Sequence, residues 1–250
     1  MRKNLETNER LIVAADFDPV GPLGRVGAKD KIEDLVMRLR DTGVIIKVNS
    51  DLRVWGFDLI NFIHRHGLKC FADFKLCDIE ATMSRDGAML SQISPAIVTV
   101  MAQASAGALK ALKARLPKTE VLAVTVLTDI SDEDVASTYG MNVPALVLAL
   151  ANKAHDAGLD GLVCSPSETS LLRPYFPNMT INTPGIRPTW HTARGDQKRV
   201  ATPAQAIASG ADRIVIGRPI VEAVDPRTAV MQTLKEIAES ITSNRSDASR

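Results

Sequence analysis

Eight short apolar runs punctuate this chain: LIVAAD (11–16), VIIKVN (44–49), CFADF (70–74), AIVTVMA (96–102), VLAVTVLT (121–128), GLVCS (161–165), TINTPG (180–185) and RIVIGR (213–218). They are rich in β-branched residues and mostly apolar, as parallel strands buried on both faces should be. Between most of them lie stretches such as KIEDLVMRLRDTG (31–43), ASAGALKALKARL (104–116), VPALVLALANKAHDAG (143–158) and TPAQAIASG (202–210), with apolar residues at i, i+3 and i+4. Several end in Gly, a helix C-cap signal. Eight strands alternating with helices over 250 residues predict an α/β fold, a closed (β/α)8 (TIM) barrel. An open doubly wound sheet is the competing architecture, but no GxGxxG follows the first strand. The expected organisation is one barrel domain over 1–240 and a disordered polar tail over 241–250.

In such a fold chemistry is sited at the C-terminal ends of the strands. CFADFKLCDIEAT (70–82) places Asp73, Lys75 and Asp78 there in the spacing D-x-K-x-x-D. Strand alternation directs Asp73 and Lys75 to one side, and Asp78 lies where the chain turns into the segment 79–92. Composition alone yields such a triplet in about one chain in twenty of this length, so the position carries the weight. Asp16, Lys47, Thr128 and Arg218 also fall at strand ends. Lys47 and Lys75 stand in apolar surroundings, and a buried ammonium requires carboxylate partners. The expected array is Lys47, Asp73, Lys75, Asp78, each charge held by the next, with Lys75 as a proton donor.

The closing run ADRIVIGRPI (211–220) offers an anion site. Gly217 lets a backbone N–H approach phosphate, and Arg218 adds a planar fork. The connection GIRPTWHTARGDQKR (185–199) reads as a lid with Gly185 and Gly195 as hinges and Gln197 as an added donor. The formal charge of +1 gives no reason to expect nucleic acid or a membrane surface as partner. Cys70, Cys77 and Cys164 lack C-x-x-C spacing, so neither a disulfide framework nor zinc is indicated. His64, His66, His155 and His191 carry no metal-ligand spacing. No secretory h-region follows MRKNLETNER, and the expected location is cytoplasmic.

With DFKLCDIEAT, TPGIRP, GDQKR and VIGRPI in that order, the chain resembles the orotidine 5′-monophosphate (OMP) decarboxylases from about residue 11 to about residue 220. The resemblance implies conversion of OMP to UMP and CO2 in pyrimidine biosynthesis, with no metal and no organic cofactor. It implies that Asp16 binds the ribose hydroxyls, that Lys47, Asp73, Lys75 and Asp78 form the catalytic array, and that Thr128, with Ser131 nearby, contacts the pyrimidine. Pro184, Arg187, Gln197, Gly217 and Arg218 match substrate-binding positions, the last four of them at the phosphate. It further implies a homodimer in which Asp78, Ile79 and Thr82 enter the partner's active site. Leu76-Cys77 and Glu80-Ala81 depart from the Phe-His and Pro-Asn of the common bacterial form. Two alternatives remain: a Mg2+-dependent sugar-phosphate decarboxylase or aldolase of the same superfamily, whose second-strand residue is acidic where this chain has Lys47, and a silent nucleotide-binding barrel.

Overall fold

The fold is known from a computed structural model that describes residues 5–19, 24–191 and 201–247, with side chains to 242. Eight parallel strands close into a barrel in the order β1 to β8. They are β1 Leu11–Ala14, β2 Ile45–Val48, β3 Lys69–Leu76, β4 Ile97–Met101, β5 Glu120–Val124, β6 Gly161–Val163, β7 Thr180–Thr183 and β8 Arg213–Ile216. Each falls on one of the eight apolar runs. Closure comes from β1 pairing β8, with Leu11 opposite Ile214 and Val13 opposite Ile216.

The connecting helices are α1 Gly24–Leu39, α2 Leu52–Arg65, α3 Glu80–Ser91, α4 Ala106–Arg115, α5 Asp132–Tyr139, α6 Val143–Asp156, α7 Pro166–Leu172, α8 Pro203–Ala208, α9 Arg218–Val221 and α10 Pro226–Asp247. Two departures from the sequence expectation stand out. α1 begins seven residues before the predicted start at Lys31. α10 carries helical backbone through 241–247, where a disordered tail was expected. Among the described residues no helix is long and apolar enough to cross a membrane.

The interior of the barrel is layered, as the strand period of two requires. Ile12, Ala14, Ile45, Phe71, Ile97, Leu122 and Val215 form a small buried cluster inside it. The alternate residues, such as Leu11, Val13, Ile46, Val48 and Cys70, join the larger core beneath the helices. This double burial explains why the runs are mostly apolar on both faces. Below the apolar layer the barrel is closed by a polar one: the Arg213 guanidinium makes two hydrogen bonds to Glu120, of 2.9 and 3.1 Å, and one of 3.3 Å to Asn182. Both charged side chains are almost fully buried. β6 and β7 approach so closely here that a Cβ on Gly161 would lie 2.4 Å from the Thr180 carbonyl oxygen. One pleat above the apolar layer, on the same inward face, stand Lys47, Asp73 and Thr99.

Candidate active site

At the C-terminal mouth of the barrel lies a cavity of about 460 Å³. Its floor is apolar, built from Phe71, Val124, Val126 and Val163. Asp16, Lys47, Asn49, Asp73 and Lys75 form one charged wall, and Thr128 and Leu127 come from the connection after β5. Pro184, Gly185, Arg187, Gly217 and Arg218 contribute the side reached by β7 and β8.

The charged wall is an alternating chain. Lys47 Nζ lies 2.6 Å from Asp16 Oδ2 and 3.6 Å from Asp73 Oδ2, and Lys75 Nζ lies 2.7 Å from the same Asp73 oxygen. Asn49 Nδ2 donates to Asp73 Oδ2 at 3.3 Å, and the Thr99 hydroxyl donates to Asp73 Oδ1 at 2.7 Å. Lys47 and Asp73 have side chains only 9% exposed, so their charges interact in a medium that screens them far less than water. Beside Asp16, burial raises the pKa of the Asp51 carboxyl, and the neighbouring Asp16 charge adds to the rise.

Lys75 reaches this chain by an irregular backbone. β3 advances from Ala72 to Leu76 while β4 advances only from Val98 to Val100, so extra residues bulge out of the ladder. Lys75 takes a left-handed conformation, φ 53°, which costs an L-residue about 1–2 kcal/mol. Its amide, lost to the strand ladder, donates to Thr99 Oγ1 at 3.0 Å. Asp73 and Lys75 therefore converge as expected, but a bulge sets their geometry rather than simple alternation. Strain of this kind concentrates at functional sites.

Two sequence expectations are revised by this geometry. The array within one chain runs Asp16, Lys47, Asp73, Lys75, and Asp78 is not a member. Asp78 is exposed beyond the end of β3, and its Oδ1 accepts the Ile79 N–H at 2.6 Å, before α3 begins. Ile79, 69% exposed, and Thr82 also lie off this chain's own cavity. Ser131 is not at the cavity either: it caps α5, donating to Asp134 Oδ2 at 2.8 Å and accepting from Asp134 N at 3.2 Å. A short polar residue before an acidic turn is an N-cap signal, which accounts for Ser131 without a ligand. Gly185, expected as a hinge, does take a positive φ of 79°, while Gln197 and Gly195 lie outside the described residues. Asn49 and Thr99 were missed. The signal was available for Thr99, a lone hydroxyl in an apolar strand.

Gly217 has room to spare within the chain, since a Cβ there would meet only Ala14, at 3.6 and 3.7 Å. Arg187 donates its backbone N–H to Ala201 at 2.9 Å and an Nη1 hydrogen to the Ile186 carbonyl at 3.0 Å, which sets it at the cavity edge. Among the described residues no three His, Cys, Asp or Glu side chains gather as a metal site. The space between Asp16 and Asp73 is filled by the Lys47 ammonium.

Residues 9–233 match the sequence profile of the orotidine 5′-phosphate decarboxylase / HUMPS family. The chain belongs to this family. It is similar to the Rhodopseudomonas palustris (strain BisB5) protein named orotidine 5′-phosphate decarboxylase, 40% identical over 237 residues that cover 93% of this chain and 96% of that one. It is likewise similar to the Methylobacterium sp. (strain 4-46) protein of the same name, 38% identical over 246 residues. Among solved structures, an orotidine 5′-phosphate decarboxylase from Lactobacillus acidophilus superposes with a TM-score of 0.72 at 32% identity, covering 92% of this chain and 99% of that one. The family's barrel and the charged wall at its mouth thus occur together in one chain.

Proposed function

We propose that the chain decarboxylates OMP to UMP and CO2. The observation that carries this reading is the Asp16–Lys47–Asp73–Lys75 chain, standing over an apolar floor with Gly217 and Arg218 lining the β7/β8 side of the same cavity. Loss of CO2 from C6 of the pyrimidine leaves an electron pair in an sp2 orbital that the ring cannot delocalise as an enolate. The C6–carboxylate bond breaks, the pair remains on C6, and the Lys75 ammonium stabilises it and then transfers its proton there. Solvent returns a proton to the amine after product leaves. This sequence uses no oxidant and no electron sink.

Asp73 has two functions. It aims Lys75, and its negative charge faces the substrate carboxylate: two unit charges about 3 Å apart at an effective dielectric of 20 repel by about 5 kcal/mol. That repulsion is relieved as CO2 departs, whereas the attraction between Lys75 and C6 grows. Both differences favour the transition state over the ground state. Asp16 takes the ribose hydroxyls, Thr128 the pyrimidine, and Arg187, Gln197, Gly217 and Arg218 the phosphate, with Pro184 shaping the same end. The space left at Gly217 suits close approach of phosphate to the backbone. Binding energy at this remote group supports assembly of a water-excluded site.

The reading includes a homodimer in the cytoplasm. Asp78, Ile79 and Thr82 sit at the rim outside this chain's cavity, with Ile79 exposing an aliphatic side chain to solvent. A twofold-related copy receiving them would gain a carboxylate near Lys75 and cover Ile79. The Mg2+-dependent alternative is disfavoured by Lys47, whose ammonium lies between the two carboxylates a divalent ion would need. The test is incubation of the purified chain with OMP in EDTA, following UMP formation by ultraviolet absorbance. Rapid conversion supports the metal-free decarboxylase. No conversion with UMP bound tightly would support a silent barrel, and activity on sugar phosphates only with Mg2+ would support the other branch.

A further inference from the structure

We propose that Thr99 is a positioning residue for the reacting pair, its single hydroxyl fixing both the aim of the Asp73 carboxylate and the backbone from which Lys75 projects. The proposal rests on the decarboxylase reading above. Thr99 is fully buried on β4 and does not line the cavity, so it acts on substrate only through its neighbours.

Its hydrogen bonds have a forced polarity. The Lys75 amide can only donate, so Thr99 Oγ1 accepts from it at 3.0 Å. An ionised Asp73 can only accept, so the hydroxyl proton goes to Oδ1 at 2.7 Å. With Oδ1 engaged, the carboxylate presents Oδ2 to the cations, 2.7 Å from Lys75 Nζ and 3.6 Å from Lys47 Nζ. Terminal rotation of a carboxylate is otherwise soft.

The same oxygen closes the bulge. Between its partners Ala72 and Leu76, β3 carries residues 73–75, whereas between Val98 and Val100 β4 carries Thr99 alone. Thr99 is thus the one β4 residue facing the bulge, and it captures an amide that the ladder abandons. Removing the hydroxyl frees the left-handed turn at Lys75 and the rotation of Asp73 together. Displacement of a reacting group by about 1 Å can reduce turnover by about 10²-fold, while the phosphate and ribose contacts are made elsewhere. The loss is therefore expected in kcat and not in nucleotide affinity.

The experiment compares wild type, Thr99→Val and Thr99→Ser for OMP turnover and for UMP affinity by titration calorimetry. Wild-type conversion is read first; its absence would overturn the decarboxylase reading, and this proposal with it. With the wild type active, Thr99→Val should lose at least about 30-fold in kcat while its UMP Kd stays within about threefold, and Thr99→Ser should stay within about threefold of wild type in both. Thr99→Ala is read in the same way should the valine variant fail to fold. A kcat within about threefold of wild type in the hydroxyl-free variant would overturn the proposal. So would a parallel loss of UMP affinity, or a serine variant as impaired as the valine one.

Discussion

Replacing Asp73 by Asn removes one negative charge from the middle of the alternating chain with almost no change in volume. At an effective dielectric of 20, unit charges at the observed separations of 2.7 Å from Lys75 and 3.6 Å from Lys47 attract by about 6 and about 5 kcal/mol respectively. Most of that attraction only offsets the cost of taking the charges out of water, so the pair's net contribution is far smaller. What the substitution leaves behind matters more: two ammonium groups around a neutral amide, one of them 9% exposed. Breaking a buried pair in this way costs about 3–5 kcal/mol. Lys75 is 30% exposed and Lys47 keeps Asp16, so the low end, about 3 kcal/mol, applies. At about 2–4 °C per kcal/mol for a chain of this size, Tm should fall by about 6–12 °C. Thermal unfolding followed by circular dichroism measures it. Adding Lys47→Met should cost less than its effect in the wild-type background, because the second change removes the charge left unbalanced by the first. A fall of less than about 2 °C, or strictly additive losses, would refute the energetic coupling of the chain.

Three further outcomes follow from the same geometry. Arg218→Ala should lower kcat/KM for OMP severely, and a change under about threefold, roughly 0.7 kcal/mol, would refute its assignment to the phosphate. Lys75→Ala and Asp78→Ala should each be nearly inactive alone, yet equal mixing after dissociation and reassociation should restore about a quarter of wild-type activity, since half of the dimers then hold one intact site of two; no recovery after verified exchange would refute a shared site. Burial, reinforced by the Glu168 charge, pushes the Cys164 thiol up to about 12, and burial raises Cys70 as well. Both should therefore resist iodoacetamide at pH 8 in the folded protein and react on denaturation, as read by peptide mass spectrometry; rapid labelling of Cys164 in the folded protein would contradict its buried placement.

The strands were legible because both of their faces are buried, which makes most of the runs largely apolar, and the helices because their apolar residues repeat at 3 and 4. Boundaries were less legible. α1 starts at Gly24 in a stretch with little apolar pattern, and α10 continues into a polar segment that shows no periodic face. Within the site, Asp16, Lys47, Asp73, Lys75 and Arg218 could be read as charges where packing has no use for them. Ser131 caps α5 in the structure, and a hydroxyl near the cavity and a hydroxyl capping a helix look alike in sequence. Thr99 was passed over because Thr is also an ordinary β-branched strand residue.

Periods of two and 3.6, turn residues and misplaced charges are properties of neighbours along the chain, so the sequence by itself determined the eight-stranded barrel and the end of it that bears the charges. Which of those charges meet was decided only on closure. Closing the barrel fixes how far each strand is offset from the next, and that offset sets Thr99 against Asp73, 26 residues away, and Arg213 against Glu120, 93 residues away. The bulge that turns Lys75 to a positive φ has the same origin. It arises from a mismatch between β3 and β4, and no pattern within residues 69–76 could announce a misfit with a strand that begins at Ile97.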